Sequence, residues 1–217
     1  MTVDPQGRRY HDVHLPDHPA RPGVWRAIAG YLARWVPPGG SVVEIGAGYC
    51  HWINAVQAAS RVAVDRWDEL PRHTAAGVIP RVLDAATDLP ALGAGQFDVA
   101  LASNVLEHFD PDLAANIAAD IHDLLKPGGR LLVIQPNFRY AFRHYFDDYT
   151  HRSVFTDVSL PAMLRTRGFE IDDVQPRFLP YSMRPLRSTV PAWLVAAYLR
   201  SPVKPSAGQM LVVARRS

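Results

Sequence analysis

Imidazole and carboxylate side chains that could move a proton are concentrated in two parts of the chain. The segment 137–151 (NFRYAFRHYFDDYTH) carries Asp148 and His151 among tyrosines and further charged residues. The pair Glu107-His108 lies in a separate run, NVLEHF. Imidazole can accept a proton near neutral pH. We therefore take His108, Asp148 and His151 as the catalytic candidates.

The same polar segment is open to other interpretations. Carboxylates, imidazoles and phenols crowded into one loop suit a polyhydroxylated or charged substrate, but a solvated connector would have a similar composition. His108, Asp147, Asp148 and His151 are also residue types that bind metal ions. Because they follow no fixed ligand spacing, no residue of the chain is assigned as a metal ligand at this stage.

A glycine-rich turn, VVEIGAGYC at 42–50, is the second chemical feature. Gly46 and Gly48 would let the backbone turn sharply and approach a ligand. A dinucleotide site would need a third glycine where the chain has His51, and no Walker sequence is present. Glu44, two residues before the glycines, would repel a pyrophosphate but can hold a cationic amine. The turn therefore predicts a cofactor with an amino acid end.

Short apolar runs alternate with helical segments along the chain, and this alternation must position those side chains. It predicts a parallel sheet covered by helices on both faces. Ligands bind to such sheets outside the carboxyl ends of the strands. The predicted strands are Ser41–Ile45, 62–64, 78–83, Phe97–Ser103 and 130–135, and the predicted helices are 22–36, 49–59 and 112–125.

The last third departs from strict alternation. We predict a helix at 158–167, a strand at 169–174 and a final strand at 209–214, with a long connection over 176–205. Such a connection would let the last strand insert antiparallel beside its predecessor. The predicted fold class is α/β, with a doubly wound, mostly parallel seven-stranded sheet and an antiparallel last strand.

Composition narrows the class of protein. The hydrophobic share of 48% and the charged share of 20% are those of an ordinary globular domain. A net charge of +2 does not by itself imply a nucleic-acid partner, and we expect none, while a single cysteine excludes an intrachain disulfide. Neither a signal peptide nor a membrane-length apolar run is found, so we expect a cytoplasmic location. Residues 1–21 are expected to be a loose lead-in.

Five segments in register carry a family resemblance. VVEIGAGYC, VAVDRW, VLDAATDLP, FDVALASNVLEHF and LLKPGGRLLVIQPN are similar to the motifs of class I S-adenosylmethionine-dependent methyltransferases, which have a Rossmann-like fold. The resemblance covers about 40–136, and SLPAMLRTRGFEI adds a typical helix–strand unit. Segments such as AVDRW, SNVLEHF, YFDDYTH and GQMLVVAR resemble a subset of small bacterial methyltransferases of glycan or polar metabolite biosynthesis.

The resemblance implies roles for individual residues. Asp65 matches the residue that bonds the ribose hydroxyls, Asp84 matches the one near the adenine amino group, and His108 falls over the sulfonium region. Similar sequences usually have a glycine where this chain has Cys50, which we interpret as tolerated packing, a reactive thiol or an altered pocket. The cofactor-binding residues so implied are Glu44, Gly46, Ala47, Gly48, Tyr49, Asp65, Arg66, Asp84, Ala85, Ser103 and Asn104.

The function implied is methyl transfer from S-adenosylmethionine to a small polar acceptor, with O-methylation of a sugar-like or hydroxylated metabolite favoured. An enzyme or module that binds this cofactor without methylating an external acceptor is the alternative, and a dehydrogenase is the third choice. We expect one domain over 1–217, with 137–157 and 176–205 as a substrate lid or interface. The basic, aromatic segment 176–205 could also contact a membrane surface, a lipid-linked substrate or a second copy in a homodimer.

Overall fold

The computed structural model describes residues 18–181 and 191–217, and it is built on one seven-stranded sheet. The strand order is β3-β2-β1-β4-β5-β7-β6. Strands β1 to β5 run parallel, and β7 runs antiparallel to both β5 and β6. The strands are Ser41–Ile45 (β1), Ser60–Asp65 (β2), Val78–Val82 (β3), Phe97–Ser103 (β4), Leu125–Pro136 (β5), Phe169–Pro180 (β6) and Ala207–Arg216 (β7). This arrangement confirms the predicted fold class.

Helices cover both faces of the sheet. They are Arg21–Leu32 (α1), His51–Ala55 (α2), Leu70–His73 (α3), Pro111–Leu124 (α4), Phe138–Ala141 (α5), Ser159–Thr166 (α6) and Ala192–Arg200 (α7). Short 3-10 turns lie at Ala33–Trp35, Leu89–Leu92, Leu106–His108 and Tyr145–Asp147. One core packs α4 and α6 on the sheet, and the other packs α1, α2 and α7 on its opposite face.

Successive side chains along each strand point alternately into these two cores. Val43 and Ile45 of β1 point to the core under α4, while Val42 points to the core under α1. Both faces are apolar because both are covered. In α4, Ile117 and Ile121 are fully buried, and burying each such side chain contributes roughly 1.5–3 kcal/mol.

The last strand lies antiparallel beside its predecessor β6, as predicted, and its other neighbour is β5. Leu132 of β5 pairs with Val213 of β7, and Val174 of β6 pairs with Val212. Strand β6 continues to Pro180, so 176–180 is strand and does not belong to the predicted connection. Pairing with β7 continues along β6 past three irregularities of register, which a periodicity of two does not reveal.

The predicted helix 49–59 was wrong in length, because α2 covers only His51–Ala55. Cys50 has a φ of 59°, which lies outside the helical region, and Val56 is already extended with a ψ of 141°. The chain turns back directly after α2 because β2 begins at Ser60, which pairs with Ser41 at the start of β1.

The sheet reverses its strand order between β1 and β4, which creates a crevice at their carboxyl ends. The loops that follow β1, β2, β3 and β4 meet at this edge. In the described parts of the chain, no helix combines the length and the apolar character needed to cross a membrane. The predicted lead-in 1–21 lies almost wholly outside the described residues.

Candidate active site

The loop after β1 depends on glycine. Gly46 has a φ of +70°, and a Cβ there would stand 2.5 Å from Cγ2 of Val105. Gly48 also has a positive φ, at 48°. Between them the amide of Ala47 donates to the carbonyl of Val64 at 2.9 Å. The loop is therefore held against β2 and against the residue that follows β4, with Gly46 exposed.

Asp65 ends β2 beside this loop. One carboxylate oxygen accepts the amide of Gly48 at 2.8 Å, and the other accepts the amide of Trp67 at 2.9 Å. The side chains of Tyr49, Trp67 and His73 form an aromatic wall next to it, with Trp67 stacked on His73 at 4.7 Å between ring centroids. Each carboxylate oxygen keeps a second lone pair, so this half-buried group can still accept hydroxyl donors.

Further predicted cofactor residues lie after β3 and β4. Asp84 accepts the amide of Ala86 at 2.8 Å, while its own amide donates to the carboxylate of Asp88 at 3.0 Å. Asn104 is exposed with a φ of 54°, and its side-chain amide donates to the hydroxyl of Ser103 at 3.2 Å. Arg66 is exposed and Ala85 half-buried. These predicted cofactor residues therefore lie at the carboxyl ends of the strands, on the same side of the sheet as the glycine turn.

Glu44 is placed differently from what a contact with a cationic amine would suggest. The residue is only 4% exposed, and its carboxyl accepts the amide of Ile53 in α2 at 3.0 Å. Burial raises the pKa of this carboxyl to about 8, with the Ile53 amide opposing the shift and the charge of Asp65 adding to it. In this structure Glu44 joins β1 to α2, and its contact with a cofactor amine stays a prediction.

Cys50 lies where a glycine is usual in similar sequences, and its backbone shows why. Its φ of 59° is in the left-handed region, which costs a residue with a Cβ on the order of 1–2 kcal/mol. The side chain is fully buried, with the sulfur 3.6 Å from the carbonyl of Gly48. Burial, followed by the charges of Glu44 and Asp65, raises the pKa of the thiol to about 12. These observations favour tolerated packing over a reactive thiol.

The three catalytic candidates lie together with two further polar residues. We call Glu107, His108, Asp148, Thr150 and His151 the histidine centre. The rings of His108 and His151 are 4.9 Å apart between centroids. The Thr150 hydroxyl donates to a carboxylate oxygen of Asp148 at 2.5 Å and lies 2.8 Å from Nδ1 of His108. Residues 40 or more positions apart in the chain are thereby brought together.

Hydrogen bonding fixes the tautomer of both imidazoles. Nδ1 of His151 lies 2.6 Å from the carbonyl of Tyr145, which can only accept, so this nitrogen carries a proton. The Thr150 hydroxyl gives its proton to Asp148, so it accepts one from Nδ1 of His108. In the neutral form of each ring, Nε2 therefore holds the lone pair.

The charges of the centre follow from burial and hydrogen bonding. Burial lowers the pKa of His151, against the opposing influence of Asp148 and the Tyr145 carbonyl. Burial alone would raise the pKa of Asp148, but two hydrogen bonds from Thr150 and the nearby imidazoles outweigh it and lower that pKa. A neutral His151 beside an ionised Asp148 is the expected state near neutral pH.

Glu107 is a member of the centre that the sequence analysis left out of the catalytic set. It is fully buried, and neither carboxylate oxygen has a hydrogen-bond partner within the described ranges. Burial raises its pKa to about 8; nearby backbone amides oppose the shift and Asp148 adds to it. The available signal was an acidic residue following the apolar run at the end of β4, immediately before His108.

Backbone hydrogen bonds hold the two halves of the centre together. The amides of Arg152 and Ser153 donate to the carbonyl of Glu107 at 2.8 and 3.1 Å. The hydroxyl of Ser153 donates to the carbonyl of Phe109 at 2.5 Å, and the buried phenol of Tyr145 donates to the carbonyl of Ser153. The loop after β5 is thus fastened to the turn after β4.

Other polar residues of 137–151 have structural partners. Asn137 is fully buried, and its side-chain amide donates to Asp157 and to the carbonyl of Pro176, both at 3.0 Å. His144 pairs with Asp147 at 3.0 Å on the surface. The dense polar run is therefore divided between the histidine centre and the framework of its loop.

A sheet of this order, a double-glycine turn after β1 and a carboxylate ending β2 define a class I S-adenosylmethionine-dependent methyltransferase. Residues 18–174 match the family described as methyltransferase domain, and the chain belongs to that family. A search of curated proteins found no match. The cofactor is S-adenosylmethionine.

Solved structures share the fold at low sequence identity. A methyltransferase from Archaeoglobus fulgidus is 16% identical with a TM-score of 0.63, over 88% of this chain and 94% of the other. One from Mesorhizobium loti is 19% identical with a TM-score of 0.63, over 88% and 98%. The [4+2]-cyclase SpnF is 20% identical with a TM-score of 0.62, over 88% and 80%. This fold therefore also occurs in a cyclase.

The residues at the sheet edge fit this cofactor. Asp65 retains lone pairs for a pair of ribose hydroxyls, and exposed Gly46 offers close backbone approach. Ser103 and Asn104 continue the same edge at the end of β4. The contribution of each of these residues stays a prediction, which the following variants test.

Cys50 should resist alkylation in the native protein. Its buried thiol with a raised pKa is predicted to react with iodoacetamide at pH 8 only after unfolding in guanidinium chloride. Mass spectrometry of intact protein before and after denaturation measures this directly. Rapid stoichiometric labelling of the folded chain would restore the reactive-thiol interpretation.

Glu44→Gln should change how stability depends on pH. The folded carboxyl holds its proton up to about pH 8, whereas its ordinary pKa is 4.5. Its stability contribution is therefore present below pH 4.5 and is lost as the pH rises towards 8. Between pH 5 and 8 the wild-type free energy of unfolding should fall relative to the variant by up to about 1.4 kcal/mol per pH unit. Urea unfolding measures the difference, and a difference independent of pH would contradict a protonated Glu44.

Asp65→Ala should weaken binding of S-adenosylhomocysteine. The change removes a charged acceptor worth on the order of 1.5–3 kcal/mol, which is roughly a 10- to 100-fold loss of affinity. Titration calorimetry measures the affinity, and thermal unfolding shows that the variant is folded. Asp123→Ala is a matched control because Asp123 is exposed in the last turn of α4, just before the amino end of β5. Equal affinity in both variants would remove Asp65 from the cofactor site.

Proposed function

We propose that this methyltransferase methylates a hydroxyl oxygen of a small polar acceptor, with a sugar-like metabolite favoured. The observation that supports this proposal is the chain of hydrogen bonds Asp148–Thr150–His108 beside His151. His108 of this chain lies in the turn that follows the carboxyl end of β4. Such a chain presents an imidazole lone pair in a defined direction, which is what a hydroxyl acceptor requires.

Methyl transfer to a hydroxyl needs a group that removes a proton. S-adenosylmethionine supplies a methyl group on a sulfonium, from which a neutral thioether leaves. In the proposed reaction, Nε2 of His108 accepts the hydroxyl proton as the new carbon–oxygen bond forms. Asp148, acting through Thr150, holds the imidazole in this tautomer and stabilises its charged form.

The same arrangement is less useful for other acceptors. A neutral amine attacks with its own lone pair, so it does not require a hydrogen-bonded chain that ends in a proton acceptor. A carbon acceptor would need an electron-rich partner. The remaining task of the protein is to hold the acceptor in line with the methyl group, which can supply several kcal/mol of the barrier reduction.

An enzyme that binds S-adenosylmethionine without methylating an external acceptor is the alternative. Structural similarity to the [4+2]-cyclase SpnF favours this candidate, because the same fold occurs in a protein named for a different reaction. The two functions differ in one product. Incubation with candidate hydroxylated acceptors and the labelled cofactor should form S-adenosylhomocysteine together with methylated acceptor, and binding without either product would favour the alternative.

Of the predicted segment 176–205, residues 176–180 belong to β6, and the described part 191–205 is proposed as a lid or interface. Within its described part, Trp193 is 71% exposed and Val203 is 72% exposed, which supports contact with a partner surface. Arg184 and Arg187, two of its predicted basic residues, lie outside the described residues. Membrane or lipid-linked substrate contact, a homodimer and a cytoplasmic location stay predictions.

His108→Ala should lower turnover with little effect on cofactor affinity. Loss of a positioned proton acceptor costs typically 10²- to 10⁴-fold in rate. Initial rates of S-adenosylhomocysteine formation, together with its dissociation constant, separate the two effects. His144→Ala is the control because His144 lies in the same loop, exposed and paired with Asp147. Full activity in His108→Ala would exclude the histidine centre from the chemistry.

A further inference from the structure

We propose that Glu107, His108 and His151 bind a divalent transition-metal cation. One ligand atom from each of these three residues lies within 4.8 Å of the others. Ligands bound to a tetrahedral ion at about 2.1 Å stand roughly 3.4 Å apart, so small side-chain rotations would close the site. The site joins the turn after β4 to the loop after β5.

The buried carboxyl of Glu107 is the first independent observation. A carboxylate that is taken out of water without a partner is costly, so such groups are normally paired or bind a metal. Glu107 is fully buried, and its carboxylate oxygens accept no well-formed hydrogen bond within the described ranges, although the amides of Val105 and Glu107 lie close enough to oppose the rise of its pKa. Glu44, the other buried glutamate of this edge, shows the contrast because it accepts the Ile53 amide. Glu107 is therefore a buried carboxyl that a bound cation would hold in its ionised form.

The second observation is how the two imidazoles are held. Metal-bound histidines commonly donate their other nitrogen to a carbonyl or carboxylate, which orients the ring. His151 donates Nδ1–H to the Tyr145 carbonyl, and His108 donates Nδ1–H to Thr150, which in turn donates to Asp148. Both rings therefore keep the Nε2 lone pair that a metal ligand needs. Asp148 and Thr150 act through His108 as positioning residues.

The donor set indicates the class of cation. Two imidazole nitrogens and one carboxylate oxygen suit Zn²⁺, Fe²⁺, Mn²⁺ or Co²⁺ better than Ca²⁺, which prefers oxygen ligands alone. Three protein ligands leave at least one coordination position open, as in catalytic rather than structural zinc sites. An acceptor with one hydroxyl, or with two neighbouring hydroxyls, has the chemistry to fill such a position.

A cation at this point would change how the hydroxyl is activated, and this consequence rests on the proposed function. A divalent cation lowers the pKa of a bound oxygen, as it does for water. His108 and His151 would then serve as ligands, and the hydroxyl proton would pass to solvent rather than to Nε2 of His108. A bound cation would thereby explain why two imidazoles and a buried carboxyl lie close together.

Cation binding can be measured without turnover. Tag-free protein is stripped with a chelator, dialysed and titrated with Zn²⁺ by calorimetry and with Co²⁺ by visible absorption. We expect about one high-affinity ion per chain and a cobalt spectrum typical of nitrogen and oxygen ligands. Absence of a stoichiometric ion would overturn the site.

Variants assign the ion to the centre. Glu107→Gln and His151→Ala should each weaken Zn²⁺ binding by well over tenfold, and Thr150→Val should weaken it by about 10- to 100-fold through His108. His144→Ala and Asp123→Ala are matched controls at exposed residues and should retain the wild-type Zn²⁺ affinity. Thermal unfolding of the stripped proteins shows whether each variant is folded. If Glu107→Gln or His151→Ala is not folded, the affinity of Thr150→Val provides the test instead. Equal binding in ligand variants and controls would contradict the assignment.

Turnover then separates the site from the proposed function. Restoration of hydroxyl methylation by Zn²⁺, Mn²⁺ or Co²⁺ after stripping supports both. Methylation that is unaffected by stripping, with Zn²⁺ binding intact, would confirm O-methylation and the ion but exclude the ion's role in activation. Zn²⁺ binding that depends on Glu107, without methylation of any hydroxyl acceptor, would support the site and count against the proposed function.

Discussion

The backbone carbonyl of Glu107 is the point on which the candidate site depends. It accepts two amides, from Arg152 and Ser153, and so fastens the loop after β5 to the turn after β4. These bonds bring His151 to His108, because the intervening residues have little freedom once both ends of the loop are held. The geometry of the histidine centre is therefore set by backbone hydrogen bonds, which do not depend on the identity of the catalytic side chains.

Glu44 and Glu107 are both buried, but they differ in how well hydrogen bonds offset the free-energy cost of burying a carboxyl group. Burial raises the pKa of Glu44 and of Glu107 to about 8 in both cases. Glu44 receives a backbone amide from α2 and so contributes to holding β1 and α2 together. Glu107 has no comparable well-formed bond within the described ranges, although it is at least as deeply buried. Polar groups left without partners tend to occur at functional positions, where local stability gives way to chemistry.

The strand pattern made most of the fold predictable, since buried parallel strands read as apolar runs. The length of α2 was not predictable, because the left-handed backbone at Cys50 belongs to a short connection between β1 and β2. The spacing of apolar residues gives no sign of that conformation. Asp148 and His151 were predicted from residue type alone, and the structure brings them to His108. Glu107 was missed because its significance lies in burial, and Asn137 was included in a polar cluster although its bonds serve the loop framework.

The division between sheet and loop explains why fold similarity does not determine the reaction. The sheet edge that holds Gly46 and Asp65 comes from β1 and β2, whereas the histidine centre needs the loop after β5. Proteins that are 16–20% identical share the sheet, and one of them is a cyclase. The shared sheet therefore does not by itself determine the reaction of this chain. The loop after β5 supplies Asp148, Thr150 and His151, whose hydrogen bonds set the tautomers of the two imidazoles. Under the proposed function, it is this loop rather than the sheet that would select a hydroxyl acceptor.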